Sequence, residues 1–489
     1  MSLVLQKLEP SALWQHFEAL NAVPRASKKE EEVIQFILDF AKEINLSAQK
    51  DAVGNVIIRK PASLGMEDRK TVVLQSHLDM VHQKNNDTDF DFARQGIQML
   101  VDGDWVKAQG TTLGADNGIG VAAIMALLSS NDIPHPAIEA LLTIDEETGM
   151  TGAKGLQGGV LTGDILLNLD TEEDTEIDIG CAGGIDVTAT LDYTLELLSG
   201  GVTTFEIAVR GLHGGHSGIE IHKGLANANK VLNRILYYLS GSGLDVRIIE
   251  IQGGGLRNAI PRESSALIAT RGTNLELLSS TLKDKIEAVK KEYANVDAGL
   301  EITVSKIADE AEVSVMPIDV QEKLIKGIYA AHNGVYRMSV DFADLVETSN
   351  NIARVEVKDG KATVKCLTRS SVESSKQDLA NALKSCFELM GAKVIFSGDY
   401  PGWTPNANSA ILDVLVETYK DLFNESPDVV ACHAGLECGI LGTNYPKMDM
   451  ISFGPTILGA HSPQERVSIS SVQKFWMYLK EILVRIPSK

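Results

Sequence analysis

Apolar positions along the chain switch between a helical period and short extended runs. Residues 10–23 and 30–44 carry apolar side chains at helical spacing, with Pro24 and Ser27 breaking between them. Strand-like runs follow at 55–59, 71–76, 139–144 and 164–169. Val72-Val73-Leu74 and Ala140-Leu141-Leu142 are unbroken apolar cores, as in strands buried on both faces. Three of these runs end in chemistry: His77-Leu78-Asp79, Asp145-Glu146-Glu147 and Asp170. A glycine-rich turn from Gly110 to Gly120 carries Asp116 and Asn117 and leads into an apolar helix at 118–129. Ligands of an open α/β sheet collect beyond the carboxyl ends of its strands, so these acids and His77 mark a candidate site.

From about Asp186 to Trp403 the pattern becomes β-α-β-β-α-β. Strands are expected at 203–210, 246–252, 265–271 and 301–306, with helices at 225–239 and 275–293. A second such unit is expected in tandem, with strands at 312–316, 351–358, 362–368 and 392–396 and helices at 320–331 and 377–390. After Trp403 the α/β texture resumes, with helices at 409–422, 436–441 and 471–486 around strands at 429–432 and 448–451. The expected class is α/β: residues 1–185 and 401–489 form one domain with a central mixed sheet, interrupted by an α+β domain over 186–400 made of two βαββαβ units.

Charge narrows the partners. With 66 acidic against 45 basic residues the net charge is −21, a surface that repels nucleic acid and anionic membrane. No apolar run approaches the ~20 residues that span a bilayer. The five cysteines lack any C-x-x-C pair, which points to a reducing compartment and to no thiolate zinc site. Residues 1–10 contain no signal-peptide core, so a cytoplasmic location is expected.

The polar groups can then be weighed together. Asp116 sits where free backbone N–H groups meet the positive end of a helix, a place for a phosphate or for a rigidly held metal ligand. The spacing of Gly114, Gly118 and Gly120 matches neither common phosphate-binding fingerprint. His77-x-Asp79 places two side chains on one face of an extended segment, where Asp79 can take the second imidazole N–H and fix the tautomer. Glu146 and Glu147 point apart at a strand end, so one can ligate while the other works on water. Two histidines (His77, His461) and three carboxylates (Asp116, Glu147, Asp170) suit zinc, or manganese or cobalt. With Asp116 shared, they divide into His77, Asp116, Asp170 and Asp116, Glu147, His461, leaving open positions for a shared hydroxide.

The motifs Ser76-His77-Leu78-Asp79-Met80, Gly114-Ala115-Asp116-Asn117-Gly118, Asp145-Glu146-Glu147, Asn168-Leu169-Asp170 and His461-Ser462-Pro463 resemble the dinuclear-zinc peptidases related to carboxypeptidase G and peptidase V. The likeness runs over essentially the whole chain and favours the aminoacyl-histidine dipeptidases among them. It takes in Gly180–Gly184, His213–Gly218, Arg257–Pro261, Pro401-Gly402-Trp403 and His433–Gly439. The resemblance implies a zinc-peptidase-like catalytic domain with a lid, and a cis peptide between Asp116 and Asn117. It implies hydrolysis of dipeptides with a free carboxylate, Xaa-His and β-alanyl-histidine included. Glu146 would be the general base and Asp79 the partner that orients His77. His216 would donate to the oxyanion, Asn258 and Arg369 would hold substrate, and His433 would help at the carboxylate end. Relatives with a single lid unit dimerise through it; two units in one chain would let His216 and Arg369 serve their own metals, with a homodimer left open. A related N-acyl amino acid amidohydrolase or carboxypeptidase would keep the same metals and Glu146. A non-catalytic binding protein would not need them.

Overall fold

A computed structural model of the chain describes residues 5, 7–85, 87–340, 342, 344–406 and 408–489. Two units emerge. The first comprises Met1–Gly180, Trp403–Ala431 and Leu436–Lys489. The second comprises Cys181–Gly402 and the four residues Cys432–Gly435, so His433 groups with the insertion rather than with its sequence neighbours.

The first unit is built on an eight-stranded mixed sheet. Four strands at its centre run parallel: Ile138–Thr143, Val72–His77, Ile165–Asn168 and Asp449–Ser452. Every residue of the first three is buried, around the apolar runs Val72–Leu74, Ala140–Leu142 and Ile165–Leu167. Helix Ala115–Ser129 is buried from Ala115 to Leu128, because its side chains are apolar on every face. Its regular geometry starts only after Asn117, since Asp116 and Asn117 depart from helical angles. A separate four-stranded sheet joins Ile457–Leu458, Arg466–Ser468, Trp105–Ala108 and Met99–Asp102, and it carries the His461 loop between its first two strands.

The second unit holds two βαββαβ halves, but they are nested rather than tandem. One half orders its strands Glu301–Val315, Glu196–Arg210, Ser264–Arg271, Val246–Gly254. The other orders Val346–Lys358, Lys361–Ser370, Gly183–Asp192, Lys393–Tyr400, the same sequence of positions read from the opposite edge. Its first strand is therefore Gly183–Asp192, which precedes the whole of the other half. The expected strand at 312–316 is instead the far end of Glu301–Val315, which stays paired with Glu196–Arg210 through two register shifts. Antiparallel pairing of Ile251–Gly254 with Arg354–Val357 fuses the halves into one sheet. One apolar core serves both, formed by residues such as Val187, Phe205, Ile235, Leu282, Ile325 and Phe387.

Candidate metal centre and substrate-binding residues

Three neighbouring parallel strands deliver most of the candidate ligands to one edge of the first unit's sheet. His77 is the last residue of its strand, Asp79 lies two residues on, Glu146 and Glu147 follow Ile138–Thr143, and Asp170 follows Ile165–Asn168. Asp116 comes from the glycine turn, and His461 from the small sheet's loop. A left-handed backbone angle and a close approach explain two of the turn's glycines. Gly114 has φ +73°, and a Cβ at Gly120 would stand 2.8 Å from the Leu169 carbonyl oxygen. The Asp116–Asn117 peptide is cis, as the resemblance implies.

The side chains converge around Asp116. His77 Nε2 lies 3.1 Å from Asp116 Oδ1 and 3.4 Å from Asp170 Oδ1. His461 Nε2 lies 3.1 Å from Asp116 Oδ2 and 2.9 Å from Glu147 Oε2. Asp116 thus turns one oxygen to each histidine. Candidate ligand atoms of His77, Asp116 and Asp170 lie within 4.8 Å of one another, and so do those of Asp116, Glu147 and His461. A third combination, His77, Glu146 and Glu147, meets the same distance. Asp79, fully buried, faces His77 Nδ1 at 3.4 Å and accepts the Glu146 and Glu147 N–H groups at 3.0 and 3.2 Å. Its second oxygen also accepts from the Ser27 hydroxyl at 2.8 Å. Asp145, just before Glu146, has φ 54°, and His461 has φ 62°; both are left-handed positions that side chains other than glycine seldom occupy.

Protonation reflects the crowding. Hydrogen bonds donated by the ring to Asp116 and Glu147 push the His461 imidazole up to about 11. Burial opposes charge on His77, but Asp170, Asp116 and Asp79 outweigh it and hold the imidazole well above its ordinary value. Asp116, which burial would raise, is held far below the usual carboxylate range by His461 and His77. Burial pushes Glu146 well above its usual range, with His77 opposing and Asp170, Glu437 and Glu147 adding. Glu147 Oε1 is buried without a hydrogen-bond partner. The crowding of carboxylates and imidazoles favours positive charge among them, and the nitrogen and oxygen donor set fits a pair of divalent ions.

Sequence reasoning missed three buried side chains around this cluster. Glu465 is 2% exposed, and its carboxylate receives the Leu113 and Ala115 N–H groups at 2.7 Å and that of Gly114 at 2.9 Å. The amides that could have cradled a phosphate are therefore filled by the chain itself. Arg25 is fully buried beside the same turn. Glu437 accepts from Gln75 and Thr143, both at 2.6 Å, and burial raises it to about 8. No local pattern announces any of them; apart from Asn21, which accepts from Arg25 at 2.9 Å four residues away, their side-chain partners are distant in sequence.

The second unit carries the remaining candidates. His216 lies in a two-residue strand paired with Ala259–Ile260, which brings Asn258 next to it; the Ser217 N–H donates to the Asn258 carbonyl at 2.7 Å. His216 Nδ1 accepts the N–H groups of Gly218 and Ile219 at 3.2 and 3.1 Å, so the neutral ring carries its proton on Nε2. The α-helix after it is Ala228–Ser240, capped by Asn227. Arg369 is 5% exposed and donates to the Tyr400 hydroxyl at 2.9 Å, and its Nε is buried without a partner. Opposite it in register is Ser349, whose hydroxyl lies 2.8 Å from His433 Nε2. Burial, then Arg369 and His216, lower His433 to about 3.

Comparison with known proteins follows the same lines. A model of peptidase family M20/M25/M40 matches residues 73–485. The chain is 46% identical over 487 residues to the cytosol non-specific dipeptidase of Escherichia coli (strain K12), covering 99% of each. The crystal structure of aminoacylhistidine dipeptidase from Vibrio alginolyticus is similar with a TM-score of 0.91 at 45% identity, over 99% of this chain and 98% of that one. A tripeptidase from Staphylococcus aureus, at 15% identity and a TM-score of 0.56 over 97% of this chain and 98% of its own, shares the fold. Motif, fold and full-length likeness agree, and the chain belongs to peptidase family M20/M25/M40.

Proposed function

We propose that this chain is a cytoplasmic dipeptidase that hydrolyses dipeptides with a free C-terminal carboxylate, Xaa-His and β-alanyl-histidine among them, with two divalent ions, zinc by preference. The observation that carries the reading is the pair of three-residue groups sharing Asp116, each with ligand atoms inside 4.8 Å. The names and full-length identity of the Escherichia coli and Vibrio alginolyticus relatives support the substrate class, and the first relative's cytosolic description supports the compartment.

On this reading His77, Asp116 and Asp170 hold one ion, and Asp116, Glu147 and His461 hold the other. When bound, such ions lower the pKa of water and polarise a carbonyl. Glu146, raised by burial, takes a proton from the attacking water and returns it to the leaving amine. Asp79 keeps the His77 tautomer by holding Nδ1. In the second unit Arg369 grips the substrate carboxylate, with Asn258 and His433 assisting, and His216 donates Nε2–H to the developing oxyanion. The test is metal content measured beside a hydrolysis profile of β-alanyl-histidine, other dipeptides, tripeptides and N-acyl amino acids. Two ions per chain with dipeptides preferred support it; preference for N-acyl amino acids would move the chain to the amidohydrolases.

A further inference from the structure

Two buried side chains outside the ligand set tie its segments together. Glu465 lies four residues after His461 on the same loop, and its carboxylate also accepts the Asp116 N–H at 3.3 Å, completing a row of four turn amides. Arg25 meets the same turn through a carbonyl instead of its amides. Its Nη2 donates to the Gly114 carbonyl at 2.6 Å, and its Nη1 donates to the carbonyls of Leu78 and Asp79 at 3.1 and 3.2 Å. The two peptide groups on either side of the Gly114 Cα are thereby both held, the N–H by Glu465 and the C=O by Arg25. At two positions of this turn a side chain would crowd Arg25: a Cβ at Gly114 or Gly118 would run into its Nη2.

The two anchors reach different segments. Glu465 connects the Asp116 turn to the His461 loop, whereas Arg25 connects it to the segment from His77 to Asp79. We propose that Glu465 and Arg25 are positioning residues with separate duties: Glu465 sets the metal position that uses His461, and Arg25 sets the one that uses His77. The inference rests on the two-ion reading above. A merely structural role would weaken both positions together.

The metal-free full-length protein, titrated with Zn²⁺ against a chromophoric chelator, tests this without reference to activity. Wild type should take two ions. Glu465→Gln should weaken one step by roughly ten- to a hundredfold, as loss of an outer-shell partner does, and leave the other within about threefold. Glu465→Asp, which keeps the charge on a shorter arm, should weaken the same step less and serves if Glu465→Gln does not fold. In a His461→Ala background the remaining position should be insensitive to Glu465→Gln and weakened by Arg25→Lys. Equal weakening of both steps, or a further loss from Glu465→Gln in that background, would overturn the assignment. Wild type binding a single ion would overturn the two-ion reading and this inference with it.

Discussion

The two units bury charge of opposite sign. In the first, Asp116, Asp170 and Glu147 surround two histidines and draw protons onto them, His461 reaching about 11. In the second, Arg369 and His216 add to burial around His433 and drive its proton away, to about 3. Each cluster is left incomplete in its own way: Glu147 Oε1 lacks a donor in one, and Arg369 Nε lacks an acceptor in the other. Uncompensated buried charge is costly, so the first cluster calls for cations and the second for an anion. On the reading proposed above, the cations serve hydrolysis and the anion is the substrate carboxylate.

Removing the cations should have the largest effect. A strong chelator should take hydrolysis to background, and zinc, cobalt or manganese should restore it. Reloading at pH 7 should release protons, those of the two raised histidines among them, because a ligating imidazole must be neutral. Calorimetry in buffers of different ionisation enthalpy would detect this, and no net release would contradict the protonated state described for His77 and His461. Next in size is Glu146→Gln, expected to lower kcat by about 10²–10⁴ with metal content unchanged. Undiminished turnover would remove Glu146 as the base.

On the anion side, Arg369→Lys should raise KM for dipeptides by roughly tenfold to a hundredfold through loss of a charge-assisted pair. Dipeptide amides, lacking the carboxylate, should respond little; an equal loss for both would argue against a carboxylate grip. The smallest effect contrasts the two units by pH. Glu437, raised to about 8 in the fold, costs stability as pH climbs towards that value, so Glu437→Gln should gain on wild type between pH 5 and 8. His433, lowered to about 3, leaves only the unfolded chain taking up a proton below pH 6.5, so His433→Gln should gain as pH falls. Each slope is bounded at about 1.4 kcal/mol per pH unit and is read from melting temperatures of the metal-free variants.

The candidate ligands were legible because each acid or histidine closes an apolar run or follows a glycine turn. Arg25 and Glu465 were not. Arg25 stands in the break between two helices and finds its carbonyls 53 to 89 residues away, and Glu465 finds its amides about 350 residues away. In the second unit, the alternation of Ile185, Val187, Ala189 and Leu191 falls outside the strands expected from the sequence, and nothing local says which strands flank it. Glu301–Val315 misleads for a different reason. It is an edge strand, mostly solvent-exposed, so no apolar alternation marks its continuity through Ile307 to Glu312.

Nesting has a consequence during synthesis. Gly183–Asp192 leaves the ribosome early, yet both strands that flank it, Lys361–Ser370 and Lys393–Tyr400, are translated after the entire other half. At ordinary elongation rates the roughly 170 residues from Asp192 to its partner Lys361 take about 10–30 s. For that interval an apolar strand with two open edges must wait while the intervening half folds beside it. A nascent chain arrested before residue 361 should therefore be the most chaperone-dependent and aggregation-prone intermediate of this protein.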